Sequence, residues 1–318
     1  MEREASAERK GLRYDRPPMT TSRMLNPDCV YMLAADHRWQ WEEWCDARAV
    51  PRARIAETKE LARQAFVLAR ERSAAVREYG ALLMDEQYGA ASVARALGDD
   101  INVGTPAEKA GVFPLQWTTD PFSRALTGRF VKVLVRHRAD HPVAVPQEQI
   151  RKLLDLQQWC RDAGRPLVVE VLVPREGEPE DEFEASGRPG MLASFIRECY
   201  RRGLTPDFWK IEGTPGQEAA QIVDAAIHER PACRQLILGK GADRATIARW
   251  FDAARNSTTA AGFAIGRSVH WGPSTEFLLG QTAASDAADR ICGNYLDLIA
   301  AWEGPTRHNA AQAQPVQR

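Results

Sequence analysis

Lysine is the scarce chemical resource in this chain. Lysine and arginine together number 42 among 318 residues, and only seven are lysine, at 10, 59, 109, 132, 152, 210 and 240. Arginine can replace lysine on a solvated surface, but its guanidinium stays protonated and cannot do amine chemistry. Each remaining lysine is therefore a candidate for work that arginine cannot do. A second cation beside an amine favours its uncharged form, which attacks carbonyls, and a neighbouring carboxylate can then carry protons. Three residues fit this chemistry: Lys132 in FVKVLVR (130–136), Glu170 in LVVEVLV (167–173) and Lys210 in DFWKIE (207–212).

Side chains alternate along a strand. In the first of these segments Phe130, Lys132, Leu134 and Arg136 share one face, while Val131, Val133 and Val135 share the other. The all-valine face suits packing against helices, so the lysine faces the opposite way. Glu170 sides with Val168 and Leu172, and Lys210 with Phe208 and Glu212. On adjacent strands Lys132, Glu170 and Lys210 would stand side by side in an interior, where an ionised amine needs partners. The alternative is a structural lysine–glutamate pair filling a polar core.

The elements that must position them alternate in type. Strand-like runs are expected at Val30–Asp36, Ala81–Asp85, Val112–Trp117, Phe130–Arg136, Leu167–Val173, Asp207–Glu212, Gln235–Gly239 and Gly262–Gly266. Amphipathic helices are expected near 54–79, 90–97, 147–163, 191–202, 217–229 and 245–255, and in a long stretch through Tyr295 to Trp302. Strand–helix alternation implies a parallel sheet covered by helices, and eight repeats close a barrel. The expected fold is an α/β, (β/α)8 TIM barrel over residues 24–304, with disordered tails at 1–23 and 305–318. A doubly wound open sheet is the alternative. No G-x-G-x-x-G follows the first run, which argues against a dinucleotide site.

In such a barrel the C-terminal strand ends form the active-site rim. That places Asp36 and Arg38 (Asp36-His37-Arg38) and Asp85 among candidate substrate contacts, with a helix cap or rim ion pair as the alternative for each aspartate. Gly239-Lys240-Gly241 and Gly266-Arg267-Ser268 follow the last two runs. Loops there commonly hold phosphate through backbone N–H groups and a cation, so Gly239, Gly241, Gly266 and Arg267 are read as a phosphate site. Lys59, Lys109 and Lys152 are read as solvated.

Composition narrows the partners. A net charge of -1 supplies no basic excess to displace counterions from nucleic acid. No apolar run approaches a membrane span, and the first residues lack a signal-peptide core. The six cysteines (29, 45, 160, 199, 233, 292) form no C-x-x-C pair, so neither disulfides nor a cysteine zinc site is expected and a reducing cytoplasm is. His137 and His141 have helical zinc spacing but stand in a loop before Pro142, and no metal or cofactor is expected. The acidic stretch 175–190 reads as a solvated, mobile segment, and Trp39, Trp41 and Trp44 as core packing or a rim-covering helix. The expected partner is a small sugar phosphate; a homo-oligomer is left open.

The strings AADHRWQ (34–40), VKVLVRH (131–137), FWKIEG (208–213), LGKGAD (238–243) and AIGRSVHW (264–271) resemble the domain often fused to 5-dehydro-2-deoxygluconate kinase in inositol catabolism, here expected to stand alone. More distantly the chain is similar to class I tagatose-bisphosphate and sulfofructose-phosphate aldolases. The likeness covers about residues 25–303. It implies a Schiff-base lyase in which Lys210 is the Schiff-base lysine, Glu170 transfers protons and Lys132 is a second strand lysine beside them. It also places Asp36 and Asp85 (in LMDEQYG, 83–89) at acidic strand-end positions and Arg267 at a phosphate arginine. The Asp-His-Arg motif departs from the Asp-Gln of those aldolases, which bears on substrate identity.

Overall fold

Eight parallel strands close into one barrel in chain order, with the eighth hydrogen-bonded to the first. The computed structural model describes residues 25–311. The tails expected at 1–23 and 305–318 therefore lie outside the described residues, except for the helical backbone of 305–311. The strands are β1 (Val30–Ala35), β2 (Gly80–Met84), β3 (Val103–Pro106), β4 (Phe130–Arg136), β5 (Leu167–Leu172), β6 (Phe208–Glu212), β7 (Arg234–Leu238) and β8 (Ala260–Ile265). Between and after them run α1 (Trp39–Asp46), α2 (Ile55–Arg72), α3 (Ala74–Tyr79), α4 (Glu86–Gly98), α5 (Ala144–Asp162), α6 (Glu180–Glu182), α7 (Arg188–Arg201), α8 (Gln217–His228), α9 (Arg244–Ala254), α10 (Arg267–Leu278) and α11 (Ala284–Ala311).

Alternation divides each strand between two cores. Val131, Val133 and Val135 of β4 pack outward against Ile150, Leu153 and Leu156 of α5. Inside, Val30, Met32, Leu83, Phe130, Val168, Phe208 and Leu236 pack on one another and fill the N-terminal part of the barrel. One inward step further along β4, β5 and β6 come Lys132, Glu170 and Lys210. An apolar plug thus supports a charged layer.

Three expectations are corrected. The third strand is Val103–Pro106, and Val112–Trp117 belongs to the loop after it, where an isolated bridge joins Glu108 to Trp117. The strand VGTP is poor in bulky residues for a steric reason: a Cβ on Gly104 would sit 2.2 Å from the Phe130 ring. The single helix expected over 54–79 breaks at Ser73, which is extended and caps Val76 N. The acidic stretch is not free: Arg138 holds Glu178 Oε1 at 2.6 Å and Asp140 at 2.7 Å, and α6 continues through a π-turn (Phe183–Gly187) into α7.

Candidate active site

The charged layer sits at the bottom of an open cavity on the C-terminal side of the barrel. Lys132 Nζ has three protons and three carboxylate partners: Asp36 Oδ2 at 2.9 Å, Glu108 Oε1 at 2.9 Å and Glu170 Oε2 at 2.8 Å. Glu170 Oε2 is also 3.1 Å from Lys210 Nζ. Glu170 and Lys210 are register partners on β5 and β6. Lys132, Glu170 and Lys210 are all buried, exposing 2%, 5% and 3% of their surfaces. A single carboxylate oxygen therefore bridges two amines on the cavity floor.

Burial works against every charge in this layer, and the pairing outweighs it. Desolvation alone would raise the carboxyls of Asp36 and Glu170, but the Lys132 and Lys210 ammonium groups hold both below the usual range. Desolvation alone would lower Lys132, yet Asp36, Glu108 and Glu170 raise it above an ordinary lysine. Lys132 is thus a fixed cation throughout the neutral range, not a base.

The expected site residues divide in two. Asp36, Arg38, Gly241, Gly266 and Arg267 line the cavity with Lys132, Glu170 and Lys210. Asp85 and Gly239 do not. Asp85 is fully buried behind the cavity, where it caps α4 by accepting from Tyr88 N and pairs with Lys59 Nζ at 2.6 Å. Lys59 is correspondingly not solvated: it is 1% exposed and also donates to the carbonyls of Ala35 and His37, both at 2.6 Å. This buried pair fixes the end of β1 behind Asp36. Lys59→Met should leave Asp85 buried and unpaired, costing about 3–5 kcal/mol, read as a lower urea midpoint. Gly239 faces Ile265, which a Cβ would approach to 2.8 Å.

Around the mouth the glycines have distinct reasons. A Cβ on Gly266 would lie 2.0 Å from the Ala34 carbonyl oxygen, so only glycine lets β8 end against β1. Gly241 has φ +82°, and a Cβ there would press on the Arg267 guanidinium at 3.2 Å. Arg267 donates to the Lys240 carbonyl at 2.6 Å, and Lys240 Nζ pairs with Glu212 at 2.8 Å. Lys240 also has a left-handed backbone, φ 49°.

Glu108 is the site residue that sequence reading missed. It accepts from Lys132, from Arg38 Nη2 at 2.9 Å and from Leu134 N at 3.1 Å. Its signal was positional: it falls two residues past the true third strand, and misplacing that strand hid it. Arg38 reaches the cavity already neutralised by Glu108.

The histidines occupy separate contacts. His37 lines the cavity and packs on His270, at 5.6 Å between ring centroids. His137 stacks on Phe195 at 4.5 Å between ring centroids, and His141 lies tilted against Phe113 at 5.2 Å. Among the described residues no group of His, Cys, Asp or Glu is arranged to hold a metal; an ammonium occupies the centre of the carboxylate trio. Burial holds His270 at about 3, and burial with His141 nearby holds His137 at about 4. Both are neutral when folded at pH 7. Below about pH 6.5 the unfolded chain binds their protons and the folded chain does not. Stability should therefore fall as pH drops from 6.5 toward these values. Denaturation midpoints over that range check this, and His270→Phe should flatten the slope.

Residues 5–306 match the family described as "Uncharacterized protein conserved in bacteria (DUF2090)". The chain belongs to the DUF2090 family. No protein of curated function matches it. Among solved structures, Cgl0159 from Corynebacterium glutamicum is 18% identical, with a TM-score of 0.55 over 85% of this chain and 88% of that one. A structure described as that of the Schiff base forming fructose-1,6-bisphosphate aldolase is 16% identical, with a TM-score of 0.49 over 85% of this chain and 95% of that one. The Corynebacterium likeness gives this DUF2090 member a fold in common with that protein and no assigned reaction.

Proposed function

We propose that this DUF2090 protein is a class I aldolase with Lys210 as the Schiff-base residue. The observation that carries the reading is Glu170 Oε2 lying between Lys210 Nζ and the fixed cation Lys132 on the floor of an open cavity. Glu170 takes a proton from the Lys210 ammonium, and the freed amine adds to a substrate ketone; an N–H proton of the adduct moves to the alkoxide, Glu170 returns its own proton to the resulting hydroxyl, and water leaves with an iminium formed. Glu170 then removes the proton of the hydroxyl on the carbon beyond the scissile bond. The carbon–carbon electrons form a C=C bond to the iminium carbon as the C=N pair moves onto nitrogen, so an aldehyde departs and an enamine remains. Protonation at carbon restores the iminium, and water releases the second product and free Lys210. Lys132 anchors Glu170 and keeps it ionised.

The substrate end is argued from the loops. The Arg267 guanidinium, Gly241 and the N-terminus of α10 converge at the ends of β7 and β8 and suit a phosphate. The likeness to the kinase-fused domain of inositol catabolism names 5-dehydro-2-deoxygluconate 6-phosphate, cleaved to dihydroxyacetone phosphate and malonate semialdehyde; that choice rests on analogy. Tagatose bisphosphate and sulfofructose phosphate are the comparison substrates. The protein is proposed to act as a single barrel domain in the cytoplasm, without a cofactor.

The test is trapping. Incubation with dihydroxyacetone phosphate and borohydride should leave a reduced adduct on Lys210, located by peptide mass spectrometry. No adduct, or one on another lysine, overturns the assignment. Arg267→Gln should weaken capture of the phosphorylated ketone about tenfold or more, read from the concentration dependence of trapping.

A further inference from the structure

The cations that line the cavity are not equally committed. Lys132, Lys210, Arg38 and Lys240 each have a carboxylate within 3.1 Å. Arg267 gives one N–H to a backbone carbonyl and has no carboxylate within ion-pair distance among the described residues. Arg136 is freer still: its half-buried side chain lines the cavity, and no side-chain hydrogen bond or ion pair engages it among the described residues. A guanidinium left unpaired at a cavity wall is a standing site for an oxyanion, which its planar fork can bind through two parallel hydrogen bonds.

Arg136 is the last residue of β4 and shares the inward face with Lys132, four residues and about 13 Å further along the strand. In a closed ring of eight strands β4 lies directly opposite β8, at whose end Arg267 stands, and β6 with Lys210 lies midway between them. Leu134 lies between Arg136 and Lys132 on the inward face of β4, and Leu172 is the register partner of Arg136 on β5. Lys109, exposed on the loop after the neighbouring β3, adds a second cation without a side-chain partner among the described residues to the same side of the mouth.

We infer that Arg136 is a specificity-determining residue that binds a second anion, a carboxylate at the substrate end remote from the phosphate. The cavity then selects acyclic molecules with an oxyanion at each end. The inference rests on the sugar-phosphate reading above for the phosphate end, and not on the Schiff base.

The probes are 6-phosphogluconate and sorbitol 6-phosphate. They have the same six-carbon chain and phosphate and differ in the terminal carboxylate. Neither carries a ketone, so failure of the Schiff-base reading leaves this measurement intact. Calorimetry on the full chain should show 6-phosphogluconate binding about tenfold or more tighter than sorbitol 6-phosphate. In Arg136→Gln the ratio of the two affinities should collapse toward one. Arg136→Lys, which keeps the charge without the fork, should give an intermediate ratio. Because the result is a ratio within one protein, partial damage to the pocket does not obscure it. Equal binding of the two probes by the wild type, binding of neither, or a ratio that survives Arg136→Gln would overturn the inference. Equally tight binding of a bisphosphate such as sorbitol 1,6-bisphosphate would overturn the assignment of the remote anion as a carboxylate.

Discussion

Lys210→Arg should remove both the borohydride-stable adduct and turnover, with a rate loss of at least about 10⁴-fold, the scale seen when a covalent nucleophile is lost. Arginine is the demanding replacement. It keeps a cation 40 residues along the chain from Glu170 but adjacent in space, where Lys210 Nζ lies 3.1 Å from Glu170 Oε2. Charge and much of the packing survive, so a folded, inactive variant isolates the loss of the amine from the loss of a cation. Intact mass after reduction, together with a thermal melt close to that of the wild type, is the decisive pair of measurements. Retained turnover would make Lys210 a structural ion-pair member and leave the floor of the cavity without a nucleophile.

Lys132→Met carries the second large effect, and it should depend on pH. The ammonium removed satisfies Asp36, Glu108 and Glu170 at once. Losing one partner of a buried ion pair costs about 3–5 kcal/mol, because the remaining charges stay buried. In the wild type the folded carboxyls of Asp36 and Glu170 are depressed. Their stabilisation is present above the unfolded values of about 4 and is lost as pH falls through the folded ones. In the variant, burial acts without Lys132 and these carboxyls move up. The variant is then penalised as pH rises above about 4. Lys132 itself is raised, so its contribution is present below the unfolded value of about 10.4 and fades as pH rises beyond it. The stability gap between the two proteins should be smaller near pH 3.5 than at neutral pH, widen between pH 4 and 6, and hold through neutral pH. Urea midpoints at pH 3.5 and 7.5 give the comparison, and an equal gap at both would refute the three-carboxylate account.

Legibility followed the physics of each position. The grouping of Lys132, Glu170 and Lys210 came from period-two alternation on three strands rich in valine and bulky apolar residues, where the buried face is unambiguous. β3 defeated the same reasoning because its contact with Phe130 requires glycine where a strand usually signals itself with a branched side chain. Its loss concealed Glu108. Asp36 and Asp85 read identically as acidic strand ends, yet one faces the cavity and the other turns to Lys59. What separates them is a helix α2 lysine whose burial only the packing of α2 on β1 and β2 reveals. Arg136 looked like the end of an inward face; that no carboxylate answers it is a fact of three-dimensional placement.

The apolar plug beneath the charged layer has a kinetic consequence. Val30, Met32, Phe130, Phe208 and their neighbours stopper one end of the barrel, so the described residues form a vessel open at the other end. Whatever enters and whatever is made must use the same passage. In the proposed reaction the ketone half stays bonded to Lys210 until water hydrolyses the iminium, so the aldehyde would go out first and the phosphorylated ketone second. Accumulated product would then compete with incoming substrate for the same passage.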